Sequence, residues 1–115
     1  MFVSSEVAHT PEGRAPDGVA EQTAMILSHL SNTLKGEGLT LNDVLQVTVF
    51  LARPDDFALF NRVYQAHFTE PYPVRTTVLA GSLYPGACVE VQIIAAQTEG
   101  HQVRRLSAKL AQVHA

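Results

Sequence analysis

The chain has one cysteine and no surplus of positive charge, and each shortage removes a class of function. A single thiol, Cys88, cannot close an internal disulfide or supply a cysteine-based zinc cluster, which fits a reducing compartment. Lys and Arg total 8 against 11 Asp and Glu, for a net charge of −3. That balance gives no basic footprint for gripping nucleic-acid phosphates. The five histidines show no metal-ligand spacing. No apolar run approaches the roughly 20 residues that span a bilayer, and Met1 to Thr10 lacks the basic start and apolar stretch of a signal peptide. A cytoplasmic protein is expected, with neither nucleic acid nor membrane as partner.

The remaining composition is that of an ordinary globular domain: 115 residues, 46% hydrophobic and 17% charged. Residues 1–96 read as one domain, and 97–115 as a polar tail in which Val103, Leu106, Leu110 and Val113 are spaced as a weak amphipathic helix. Phe2-Val3-Ser4 and Val7-Ala8 form a β-prone start, followed by turn chemistry on both sides of Arg14. From Val19 to Lys35 the apolar residues recur at three and four, the spacing of one helix face, with Asp17 as expected N-cap and Gly36 or Gly38 as stop. Val44 to Leu51 reads as a strand. A second helix is expected from about Asp56 to Phe68, burying Phe57, Phe60, Val63 or Tyr64, and Phe68, with Asp55-Asp56 as its cap and Pro71 and Pro73 beyond its end. Val74 to Ala80 and Cys88 to Ala96 are two further strands. The turn formers between them, Gly81 to Gly86, suggest an antiparallel hairpin. The order strand, helix, strand, helix, strand, strand predicts an α+β fold in which two helices cover one face of a mixed sheet.

Strand alternation divides each strand into two sets. Leu45, Val47, Val49 and Leu51, with Val74, Val78 and Ala80 and with Val89, Val91, Ile93 and Ala95, make the expected core face. The other face holds Gln46, Thr48, Phe50, Arg75, Thr77, Leu79, Cys88, Glu90, Gln92 and Ile94. It is too polar for a dry core and too apolar for open water, and two helices cannot cover both faces. A homo-oligomer is therefore expected. A hairpin centred near Ser82-Leu83 would set Arg75 almost opposite Glu90. That pair is either a plain cross-strand salt bridge or a functional pair. Cys88 reads as a packing residue.

Four blocks resemble the Rid family of reactive-intermediate deaminases, also called the YjgF-like or endoribonuclease L-PSP family. They are Leu39 to Leu51, Asp56-Phe57 through Phe60-Asn61-Arg62-Val63-Tyr64 to Phe68, Pro73-Val74-Arg75-Thr76-Thr77-Val78, and Val89-Glu90-Val91 with Ile94-Ala95-Ala96. The match runs from Phe2 to about Ala96. The family usually has a further strand ahead of the segment matching Phe2-Val3-Ser4, so the chain is expected to lack that first strand. Ser5 and Glu6 stand where the family commonly has Gly and Gln, Thr77 stands where many deaminases carry Cys, and the loop from Phe68 to Pro73 is shorter than in many relatives.

The resemblance implies the YjgF-like, or chorismate mutase-like, fold, assembled as a homotrimer with ligand clefts between subunits. It also implies hydrolysis of 2-imino acids to 2-keto acids and ammonia without metal or cofactor. Arg75 would hold the carboxylate through paired hydrogen bonds and Glu90 would position and deprotonate the attacking water. Asn61, Thr77 and Ser4 would line the cleft. A non-catalytic binder of small carboxylates with a sensing or regulatory role is the alternative. Nucleic-acid cleavage, suggested only by one of the family's names, is opposed by the charge.

Overall fold

The computed structural model describes residues 1–8, 17–81, 83 and 86–96. The loop about Arg14, part of the connection after Gly81 and the tail with its amphipathic spacing lie outside the described residues. The elements are β1 (Phe2–Val7), α1 (Val19–Gly36), β2 (Val44–Leu51), α2 (Phe57–His67), β3 (Val74–Leu79) and β4 (Val89–Ala95), with short 3-10 turns at Leu41–Asp43 and Pro54–Asp56. Each falls within a residue or two of its expected span.

The first helix starts at Gly18, not on an Asp17 cap, and no side chain caps it. It stops as its sequence indicates. Gly38 takes a left-handed φ of 74°, the amide of Leu39 donates to the Leu34 carbonyl at 2.8 Å and that of Gly38 to Lys35 at 3.1 Å. These two bonds satisfy carbonyls that the end of a helix otherwise leaves open. Asp56 precedes α2 without a side-chain capping bond, so the Asp55-Asp56 cap is not formed. Thr40 and Asp43 instead make a capping box on the turn before β2, with the Thr40 amide donating to the Asp43 carboxylate at 2.9 Å.

The sheet has the order β1-β4-β2-β3. β3 runs parallel to β2, and β4 lies antiparallel between β1 and β2. The expected hairpin between β3 and β4 does not exist, because β2 lies between the two strands. Ala80 donates to the Leu51 carbonyl at 2.9 Å and Ala52 to the Cys88 carbonyl at 3.0 Å, so both ends of the connection are tied to that one strand end. The central place suits β4, whose Val89, Val91, Ile93 and Ala95 are completely buried. β3 is an edge strand whose Val78 and Leu79 are exposed.

Directly paired residues share a face of a sheet. Val47, Val49 and Leu51 pack with Ile26, Leu27, Leu30 and Leu34 of α1 and Phe60 and Tyr64 of α2 in one core. Their partners on β3 are Arg75, Thr77 and Leu79. The face assignment of β3 is thus the reverse of the expected one: Arg75 looks under α2, while Val74, Thr76 and Val78 share the uncovered face with Phe50, Glu90 and Gln92. Alternation within β3 offers no means of telling its two faces apart when the covering helix meets it only near its start. Leu45 also departs from expectation, since a bulge between Val44 and Gln46 gives the buried place to Val44. Phe57, expected in the core, is exposed, and of the two alternatives Tyr64 is the buried one.

Gln22 joins the layers. Fully buried on α1, its amide donates to the Gly86 carbonyl at 2.9 Å and accepts from the Cys88 amide at 2.7 Å, fixing the entry to β4. Gln22→Ala strands both backbone groups and should lower unfolding free energy by about 2 kcal/mol or more. Denaturation at fixed protein concentration measures this, and a loss below about 0.5 kcal/mol would contradict the role assigned to Gln22.

Candidate functional site

Arg75 is the most unusual cation in the fold. Pro73 is buried just before β3, and the pairing of Arg75 with Val47 sets its side chain on the helix-covered face. Its guanidinium lies 4.8 Å from the ring centre of Tyr64, 5.8 Å from that of Phe57 and 5.9 Å from that of Phe60, all on α2. Those rings recur on the helix side that also bears Asn61, whose carbonyl oxygen accepts a hydrogen bond from Arg75 Nη1 at 2.5 Å. Aromatic faces attract a cation without neutralising it. Among the described residues no carboxylate pairs with Arg75, so a guanidinium with five N–H donors and one protein acceptor keeps donors to offer an anion.

Tyr64 sits beneath this cation and stacks on Phe68 with ring centres 4.6 Å apart. Burial pushes its phenol well above the ordinary value, and the neighbouring Arg75 charge opposes that only in part. Its hydroxyl is buried with no hydrogen-bond partner among the described residues. Tyr64, Gln65, Tyr72, Pro73 and Arg75 line a hollow at this edge of the molecule.

Glu90 occupies a different place. It is paired with Val7 of β1 and Phe50 of β2 on the face that carries no helix among the described residues. Ser5 Oγ donates to Glu90 Oε2 at 2.9 Å. Ser4, the residue expected in the cleft, pairs with Ile93 and so belongs to the opposite face. Thr77 is on the face of Arg75, two residues further along β3. The structure therefore brings Arg75 and Asn61 together, leaves Thr77 beside them, and separates all three from Glu90 by the thickness of the sheet and by β2. The cross-strand Arg75–Glu90 pair is overturned with the hairpin that required it.

The aromatic surround of Arg75 and the bond from Ser5 were not anticipated. The spacing of Phe57, Phe60 and Tyr64 signals one face of α2, but that pattern is equally that of a core stripe. Only the placement of β3 beneath it shows that a cation shares the stripe. Cys88 is a free thiol at the start of β4. Partial burial, followed by the charge of Asp56, raises its pKa, while Arg53 and a bond from Gln22 pull the other way, which fits a packing residue better than a nucleophile. Among the described residues no cluster of His, Cys, Asp and Glu could hold a metal, and no helix is long and apolar enough to cross a membrane.

The family model described as endoribonuclease L-PSP matches residues 1–97. The fission yeast mitochondrial protein mmf2 is 34% identical over 100 residues, covering 84% of this chain and 79% of the relative. A mouse protein named 2-iminobutanoate/2-iminopropanoate deaminase is 32% identical over 99 residues, covering 84% and 73%. Among solved structures, the YjgF gene product of E. coli superposes with a TM-score of 0.77 at 30% identity, covering 84% of this chain and 80% of that one. RidA from an Antarctic Psychrobacter gives 0.76 at 31% identity, covering 80% and 76%.

The orphaned phenol supplies a test of the local physics. Tyr64→Phe keeps the ring under Arg75 and removes a buried, unpaired hydroxyl, so stability should stay within about 1 kcal/mol or rise. Tyr64→Leu loses the stack and the cation contact and should cost about 2 kcal/mol or more in the same chemical denaturation measurement.

Proposed function

Because the chain belongs to the endoribonuclease L-PSP family, we propose that it hydrolyses reactive 2-imino acids to 2-keto acids and ammonia, in clefts between the subunits of a homotrimer. The observation that carries this reading is the half-buried guanidinium of Arg75, held by Asn61 and three rings and left without a protein carboxylate among the described residues. A planar fork of donors suits a substrate carboxylate and fixes the adjoining imine carbon in one position. The name of the mouse relative supports the same substrate class.

The chemistry asks for one more group, a carboxylate to orient and deprotonate water. Water adds to the protonated imine carbon as the carboxylate takes its proton, and that proton passes to the nitrogen. The C–N bond then breaks to release ammonia while the hydroxyl gives up its proton to the carboxylate and becomes the carbonyl, so water is the only co-reactant. Glu90, held by Ser5, is suited to that role, but it faces away from the Arg75 of its own subunit. Arg75 of one subunit and Glu90 of the next would complete the site. The uncovered sheet face and the edge strand β3 supply the surface for such an assembly, with Val3 53% and Val78 40% exposed. Thr77 would flank the carboxylate site on the same strand.

The test is consumption of 2-iminopropanoate or 2-iminobutanoate generated in situ. Arg75→Ala and Glu90→Gln should each lower kcat/KM by about a hundredfold or more, the first chiefly through binding and the second chiefly through kcat. Unchanged consumption with Arg75→Ala would overturn the assignment. Binding of 2-keto acids through Arg75 with no turnover would leave a carboxylate-binding protein in place of an enzyme.

A further inference from the structure

We infer that the hollow between α2 and the start of β3 is a side-chain subsite, and that it selects 2-imino acids bearing an aromatic ring over those bearing a methyl or ethyl group. The inference rests on the proposed carboxylate role of Arg75 and goes beyond it by naming the substrate class.

The hollow has a volume of about 180 Å³ and is lined by Tyr64, Gln65, Tyr72, Pro73 and Arg75. The hollow is partly open to solvent, and a phenyl group, for which a closed apolar cavity of about 150 Å³ suffices, fits within its volume while a methyl group occupies little of it. The exposed Tyr72 ring and the Pro73 ring offer surfaces that pack against a planar apolar group, while the Tyr64 ring, covered by Arg75 and Phe68, closes the base. The guanidinium belongs to the same lining, so a carboxylate bound to Arg75 lies at the boundary of the hollow.

The geometry of the substrate carries the next step. The imine carbon is planar, and its carboxylate, nitrogen and side chain diverge at about 120°, the trigonal angle that lets each be held by a different wall. With the carboxylate on Arg75 and the side chain seated against Tyr72 and Pro73, the nitrogen and the face open to water point away from the hollow. Tyr72 is 42% exposed and Gln65 lies on the outer side of α2, so both can change without breaching the core.

The experiment compares 2-imino-3-phenylpropanoate with 2-iminopropanoate, and phenylpyruvate with pyruvate, using the intact chain. The aromatic imine should show a kcat/KM at least about tenfold higher, and phenylpyruvate should bind at least about tenfold more tightly. Gln65→Trp, which fills the hollow, and Tyr72→Ala, which removes a wall, should each bring both ratios towards one. Equal kcat/KM for the two imines in the native protein, or ratios untouched by Gln65→Trp, would overturn the subsite. If Arg75→Ala still abolishes binding of both keto acids, the carboxylate reading survives that failure. If Arg75→Ala changes neither, both fall together.

Discussion

A β-strand presents successive residues to opposite faces, and the position of Val47 and Phe50 on β2 decides the rest of this molecule. Val47 is paired with Arg75 and Phe50 with Glu90. Those two positions are three apart, an odd number, so the cation lies under the helices and the carboxylate on the bare face. No side-chain rotation brings groups together across a packed sheet. A two-residue site built from Arg75 and Glu90 must draw them from different copies of the chain, and the proposed assembly would use the half-apolar uncovered face for that meeting.

The energetics of Arg75 follow from the same placement. A guanidinium set against the core would be costly to desolvate unless something replaced its hydration. Here Asn61 accepts one of its N–H groups, and Phe57, Phe60 and Tyr64 offer ring faces. None of these removes the positive charge, so the site is held in the form that an incoming carboxylate requires. A protein carboxylate in the position of Asn61 would stabilise the cation more strongly and close it to ligands. The neutral amide is thus consistent with a receptor and less so with a structural ion pair.

The secondary structure was legible because its signals are local. Recurrence at three and four marks α1, Gly38 marks its end, and β-branched runs mark β2 and β4. The two helices on one face of a mixed sheet followed from the order of elements. Sheet order was not legible, because a connection from Ala80 to Cys88 is as long for a hairpin as for a passage over the end of β2. With the hairpin went the face of β3, whose Val74 and Val78 advertise a core that no helix provides on that side. The bulge that exchanges Leu45 for Val44 has no signal in the sequence. Arg75 and Asn61, both candidates from the sequence, do meet. Ser4 and Ser5 differ by one place, which in a strand is the difference between the two faces, and Ser5 is the one that meets Glu90.

Placing the two charged groups on different subunits is the central claim, and subunit mixing tests it most directly. Arg75→Ala and Glu90→Gln, each inactive alone, are unfolded together in equal amounts and refolded. Random assembly gives each interface an intact Arg75 and an intact Glu90 about one time in four, so about a quarter of native imine hydrolysis should return. If both groups act within one subunit, every subunit in the mixture lacks one of them. Activity no higher than that of the separate variants, from a mixture shown to contain mixed oligomers, would contradict the account.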